Sequence, residues 1–119
     1  MEIKSHGYIN NKIGGLIMAQ EYNAEKRHQE ICDYIHEDLY LPKNAAYGDS
    51  FHKLYSDLGI ISAVTQISHK YNRLVNLAKE RNADAIAGDE SITDTLLDLA
   101  NYCILTAMEI EREQFKGEN

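Results

Sequence analysis

The chain is short of helix breakers: it has one proline in 119 residues. With so few interruptions, long helices are expected. Tryptophan is absent. Cysteine is scarce as well, with only Cys32 and Cys103, far apart in sequence. No Cys-pair metal motif can be built from them. Each falls on or beside an apolar helical stripe, so both are expected as reduced core residues of a cytoplasmic protein. No apolar run approaches the roughly 20 residues of a membrane span. The segment from Ile13 to Met18 is too short and glycine-rich for a secretory core. Positive charge is also in deficit, with 12 Lys and Arg against 19 Asp and Glu and a net charge of −7. A general nucleic-acid binder needs a basic stripe, and this balance excludes one while leaving room for a small cationic site.

What is present is ordinary globular composition, 44% hydrophobic and 26% charged, enough for one domain with a modest core. Residues 1–19 carry no clear period, and Asn10-Asn11 and Gly14-Gly15 signal turns. They are expected as a flexible extension or tag, with Met18 a conceivable start. Residues 20–113 read as one helical domain and 114–119 as a frayed tail.

Three long helices are legible. In residues 20–40, Ala24, Ile31, Ile35 and Leu39 mark one face with His28 on it, and Pro42 is expected to end the helix. Residues 43–59 form a connection with a helical turn at Phe51–Leu58, capped by Asp49 or Ser50 and stopped by Gly59. Residues 60–80 carry an apolar stripe of Ile60, Ala63, Val64, Ile67, Tyr71, Leu74, Val75 and Ala78. Residues 81–90 read as a loop, with Ser91 as the next N-cap. In residues 92–113 the main stripe is Leu96, Leu99, Ala100, Cys103, Ile104, Ala107 and Ile110, so this helix is expected to be central. The fold class is therefore all-α: a small bundle of three long helices plus a short helical turn, completed by self-association into a homodimer or higher homo-oligomer.

Two segments carry candidate chemistry. Asp94, Asp98 and Asn101 share one side of the last helix, at spacings of four and seven residues, with Leu105 following. Carboxylates beside apolar surface need partners. Mg²⁺ bridging Asp94 and Asp98 to a phosphate would supply one, with Glu90 near by as a second catalytic carboxylate beside Asp98. The bland alternative is helix-end charge at Asp94 and pairing of Asp98 with Lys70 or Arg73. Those two cations, one turn apart, can grip adjacent phosphates or only snorkel at the core edge. Around Gly48, Lys43 can meet a phosphate, Asn44 a base edge, and Tyr47 can stack on a base. The alternative is a capped turn with Tyr47 and Phe51 packed inside. Glu30, Asp33 and Glu37 read better as a solvated face than as a metal ridge. The five histidines show no zinc-ligand spacing, and no phosphate-binding glycine loop or Ser-His-Asp arrangement is present.

Four runs then carry a resemblance: Tyr47-Gly48-Asp49-Ser50-Phe51, Ser68-His69-Lys70-Tyr71-Asn72-Arg73-Leu74, Asp89-Glu90-Ser91, and Asp94-Thr95-Leu96-Leu97-Asp98-Leu99-Ala100-Asn101-Tyr102. In this order they resemble the nucleotide modification associated domain 1 family of small phage and bacterial proteins, over about residues 20–112. The last helix is also similar to the all-α nucleotide pyrophosphohydrolases of MazG and dimeric dUTPase type, which hold Mg²⁺ on acidic residues of two helices. Asp94 and Asp98 would match the second acidic helix. The first helix departs from that pattern, since Glu30 and Asp33 lie opposite its apolar stripe, and His69 stands where an acidic residue is common. The resemblance implies a nucleotide or another phosphorylated small molecule as partner, and either Mg²⁺-dependent hydrolysis or binding without chemistry.

Overall fold

The computed structural model describes residues 21–79 and 81–117. The expected extension over 1–19 lies outside them. Among the described residues every regular element is helical.

The chain enters α1 (Ala24–Tyr34) through Asn23, whose side chain accepts a hydrogen bond from the Lys26 amide at 3.0 Å. The helix does not stop at Pro42. It widens into a π-helical turn over Ile35–Tyr40 and continues as α2, Leu41–Tyr47. Proline disrupts an α-helix because its ring meets the carbonyl four residues back and donates nothing to it. At the wider turn the Leu41 amide bonds the His36 carbonyl, five residues back. The carbonyls ahead of Pro42 are thereby displaced from the ring, and the helix carries on.

Gly48, at φ +62°, ends α2, and α3 (Ser50–Leu58) follows. Gly59, at φ +78°, turns α3 directly into α4, Ile60–Ala78. Both angles lie in the region that favours glycine. The expected loop at 81–90 contains a short helix, α5 (Ala83–Ala87), capped by the Asn82 side chain. The last helix, α6, runs from Glu90 to Gly117, about 42 Å at the usual rise. Its cap is Asp89 instead of Ser91: the Asp89 carboxylate accepts from the Ser91 amide at 2.8 Å and pairs with Arg81 at 2.6 Å. Hydrogen bonding from the Ser91 side chain, ahead of the Ser91 amide and the Arg81 charge, holds the Asp89 carboxyl below its ordinary pKa. The helix extends into the expected tail as far as Gly117. Arg112 ties back to Glu109, and Lys116 complements the C-terminal dipole.

The bundle rests mainly on α4 against α6, with the π turn and α3 packed on α6 as well. Among the described residues the buried apolar ones are few: Ile35, Tyr55, Ala63, Ile92 and Leu97. None of the residues of α1 is buried, so His28 and Cys32 are exposed and lie 3.9 Å apart instead of in a core. Burial, followed by the carboxylates of Glu113 and Glu109, pushes the Tyr55 phenol above its ordinary pKa.

The apolar stripes are wider than the intramolecular packing uses. On α4, Ala63, Ile67 and Leu74 turn inward, while Ile60, Ile61, Val64, Tyr71 and Val75 face solvent. On α6 the expected core stripe is largely outside. Leu96 is 46% exposed and Ile104 48%, and Cys103, Ala107 and Ile110 are exposed with them. The polar side, with Asp98, Asn101 and Glu109, turns toward the rest of the bundle. Cys103 is therefore not a core residue: its helix is central, but with the opposite face inward.

Candidate functional site

Asp98, on the inward side of α6, is gripped from two directions. Lys43 of α2 reaches one carboxylate oxygen and Lys70 of α4 the other, both at 3.2 Å. Two ammonium groups share one carboxylate, so the trio carries a surplus positive charge. One turn further along α4, the Arg73 Nε donates to the Thr95 hydroxyl at 3.3 Å. Thr95 in turn donates to the Ser91 carbonyl at 2.6 Å. Arg73 forms no ion pair among the described residues, so its charge is available beside the trio.

Next to this cluster opens a cleft of about 330 Å³ between the α2–α3 connection and α6. One wall holds Lys43, Asn44, Tyr47, Phe51 and His52; the other holds Asn101, Tyr102, Leu105, Met108, Glu109 and Arg112. The volume falls at the small end of ligand pockets. Its middle is aromatic and apolar: Phe51 stacks on Tyr102 at 6.0 Å between centroids, and Tyr47 stands at the rim, 74% exposed. Lys43 belongs both to the cleft wall and to the Asp98 cluster, and so joins the two.

The far end of the cleft is a second polar cluster. Glu109 is 4% exposed, and His52 meets its carboxylate at 2.6 Å. Arg112 lies 3.6 Å from Glu109 and 3.6 Å from Asp49. Asp49 begins α3 without a side-chain capping bond and is turned to Arg112 instead.

Of the residues singled out in the sequence, the structure gathers Lys43, Asn44, Tyr47 and Asn101 in the cleft, and Lys70, Arg73 and Asp98 in the adjoining cluster. Lys70, Arg73 and Asp98 do not line the cleft itself. Glu90 and Asp94 are exposed on the first turns of α6. Among the described residues no group of three or more His, Cys, Asp or Glu side chains is arranged to hold a metal ion. With both oxygens of Asp98 on lysines as well, these residues do not fit a resident Mg²⁺. Glu30 pairs with Arg27, and Asp33 accepts from Gln29, as a solvated face would.

His52, Glu109 and Arg112 escape a reading that stops at Leu105. The signal was available. The stripe of Asp94, Asp98, Asn101 and Leu105, carried on at the same spacing, arrives at Glu109 and Arg112.

A family model for Nucleotide modification associated domain 1 matches residues 43–110, more than half of the chain. The chain belongs to the Nucleotide modification associated domain 1 family. The matched span runs from Lys43 to Ile110 and contains both walls of the cleft as described except Arg112, together with the whole Lys43–Asp98–Lys70 cluster. No curated protein and no solved structure matches the chain. The pyrophosphohydrolase resemblance is not shown by this family match. No helix of the described residues is long and apolar enough to cross a membrane.

Proposed function

We propose that this member of the Nucleotide modification associated domain 1 family binds a nucleotide. The phosphates would lie against Lys43, Lys70 and Arg73, and the base and sugar in the adjoining aromatic cleft. The observation that carries this reading is the cationic cluster opening, through Lys43, onto a cleft of ligand size. A ligand phosphate competes with the Asp98 carboxylate for the two ammonium groups, and Arg73 adds planar donors suited to phosphate oxygens. Asn44 and Tyr47 supply amide and ring contacts from the rim of a glycine-terminated helix, and the family name is compatible with a nucleotide ligand.

Capture without chemistry is favoured over Mg²⁺-dependent hydrolysis. A carboxylate neutralised by two lysines is a poor metal ligand, and among the described residues no group of three or more His, Cys, Asp or Glu side chains could hold the ion. Any Mg²⁺ at the site would then arrive on the nucleotide's phosphates.

The partner in assembly would be a second copy of the chain. On α6, Leu96, Ala100, Cys103, Ala107 and Ile110 repeat at alternating spacings of four and three, the seam that pairs one helix with another. Small residues at the middle of the seam permit close approach, and a self-complementary stripe suits a two-fold dimer. Two free cysteines suit a reducing compartment, and the proposal assigns the protein to the cytoplasm.

Thermal-shift measurements with nucleoside triphosphates, with and without Mg²⁺, test the functional reading. At a ligand concentration 100 times Kd, the folded state gains about 2.7 kcal/mol. Stabilisation is expected without metal, and intact nucleotide should be recovered afterwards. Product formation abolished by Asp98→Asn would overturn capture in favour of hydrolysis.

A further inference from the structure

Among the described residues four polar ones are more than nine-tenths buried: Thr95, Asn101, Thr106 and Glu109. Three of them have partners. Thr95 donates to the Ser91 carbonyl, and Thr106 donates to the Tyr102 carbonyl at 2.7 Å. Glu109 is bonded by His52 and faces Arg112. Asn101, 5% exposed, is the exception: its amide makes no hydrogen bond among the described residues. Buried polar groups in folded proteins are nearly always paired, so an orphaned amide calls for a physical reason. Its position supplies one. Asn101 lines the cleft beside Tyr102, across from Lys43 and Tyr47.

We infer that Asn101 reads the hydrogen-bonding edge of a nucleobase held in the cleft. The inference rests on the nucleotide reading above and adds how the base is chosen. A carboxamide presents an acceptor oxygen and donor N–H groups side by side. Nucleobase edges carry acceptors and donors in the same adjacency, and side-chain amides pair with them in this two-point manner. Discrimination follows from burial. A base whose edge matches satisfies the amide, whereas a mismatched base leaves it desolvated and unpaired. Phe51, Tyr102 and Tyr47 supply ring faces that every base can stack on, so they contribute affinity without choosing among bases. Asn44 lies exposed at the rim, where water can satisfy its amide whichever base is bound, so the choice falls to the buried Asn101.

The test compares wild type with Asn101→Leu, which keeps side-chain size and removes the amide. Both proteins are titrated by calorimetry with inorganic pyrophosphate and with four nucleoside triphosphates differing only in base. Wild type is expected to prefer one or two bases. Asn101→Leu should bind the preferred nucleotide about 10- to 100-fold more weakly and lose the preference. Its pyrophosphate affinity should stay within about twofold of wild type. The ligand-free variant should melt at or above the wild-type temperature, because an unsatisfied amide has been replaced by an apolar group of similar shape. Should the leucine variant fail to fold, Asn101→Ala serves, with the same base-selective loss expected.

Four results would overturn the inference. An unchanged base preference in the variant is one, and it points to an amide satisfied by water alone. An equal loss for pyrophosphate and nucleotide, with a lowered melting temperature, points to a structural asparagine. Wild-type binding of pyrophosphate with no base preference removes the role of Asn101 while leaving the phosphate site standing. A wild type that binds neither ligand overturns the nucleotide reading and this inference together.

Discussion

Replacing Asp98 with asparagine separates the two chemistries that an aspartate in this place could serve. If Asp98 is a metal ligand in a hydrolase, Asp98→Asn abolishes turnover and weakens Mg²⁺-nucleotide binding. If it is a counter-ion that holds two lysines in readiness, the same change strengthens anion binding, because the ligand no longer competes with a resident carboxylate. The size of the gain follows from Coulomb's law. A carboxylate about 6 Å from a phosphate charge repels it by about 0.7 kcal/mol at a dielectric constant of 80 and about 2.8 kcal/mol at 20. Lys43 is 47% exposed, Lys70 28% and Asp98 23%, so solvent screens a large part of this. A value of about 1 kcal/mol is reasonable, or roughly fivefold tighter binding of pyrophosphate or a nucleoside triphosphate. The gain should shrink as salt rises from 0.05 M toward about 1 M, where the Debye length falls to about 3 Å. Folding stability should drop by about 1 kcal/mol, since two partly exposed ion pairs are lost. Calorimetric titration at two salt concentrations gives the affinities, and urea denaturation gives the stability. Weaker anion binding by Asp98→Asn at low salt would refute the reasoning.

Three further outcomes are expected. Glu109→Gln should cost about 2 kcal/mol by urea denaturation, because a buried carboxylate loses a charge-assisted bond to His52, and a double-mutant cycle with His52→Ala should return a coupling near 1 kcal/mol; additivity of the two changes would contradict the pairing. Ile110→Asp or Ala107→Asp should convert the protein to monomer in sedimentation velocity while leaving far-ultraviolet circular dichroism unchanged; monomeric wild type would contradict the paired-seam proposal. Asp89→Asn should lower the melting temperature at neutral pH. Because the folded-state pKa of Asp89 is below its unfolded value, its contribution is present above the ordinary carboxylate range and lost as pH falls through the folded pKa, so wild type and variant should converge in acid; a gap that persists at low pH would show that the cap does not depend on the charge.

How much of this was legible in the residues differs from element to element. The all-α class and the three long helices follow from helical periodicity and scarce breakers, and they stand. Pro42 misled because the rule for the residue before proline assumes a regular α-helix ahead, and a π turn needs partners that periodicity does not reveal. Ser91 and Asp89 are both good caps, and only Arg81, brought round by the 81–89 segment, shows which is held in place. On α6 the helical period defines the apolar stripe but not the side of the helix that the single chain buries. An amphipathic pattern identifies two faces, and which one is buried in the single chain depends on what α2, α3 and α4 bring to it. Here they bring lysines to Asp98 and an aromatic cleft to Asn101, so the polar side is turned inward. The Asp98–Asn101–Leu105 side was recognisable because carboxylate and amide shared it with leucine. His52 was not, since its partner lies 57 residues away.

The central claim is that nucleotide sits between the Lys43–Asp98–Lys70 cluster and the Asn101 wall of the cleft. The most direct measurement is a backbone amide NMR titration of the folded protein with its preferred nucleoside triphosphate. Saturable shifts are expected over residues 43–52, around Lys70 and Arg73, and along 98–109. Shifts absent from those segments, or confined to the outer stripe of α6 at Leu96, Cys103 and Ile110, would contradict it.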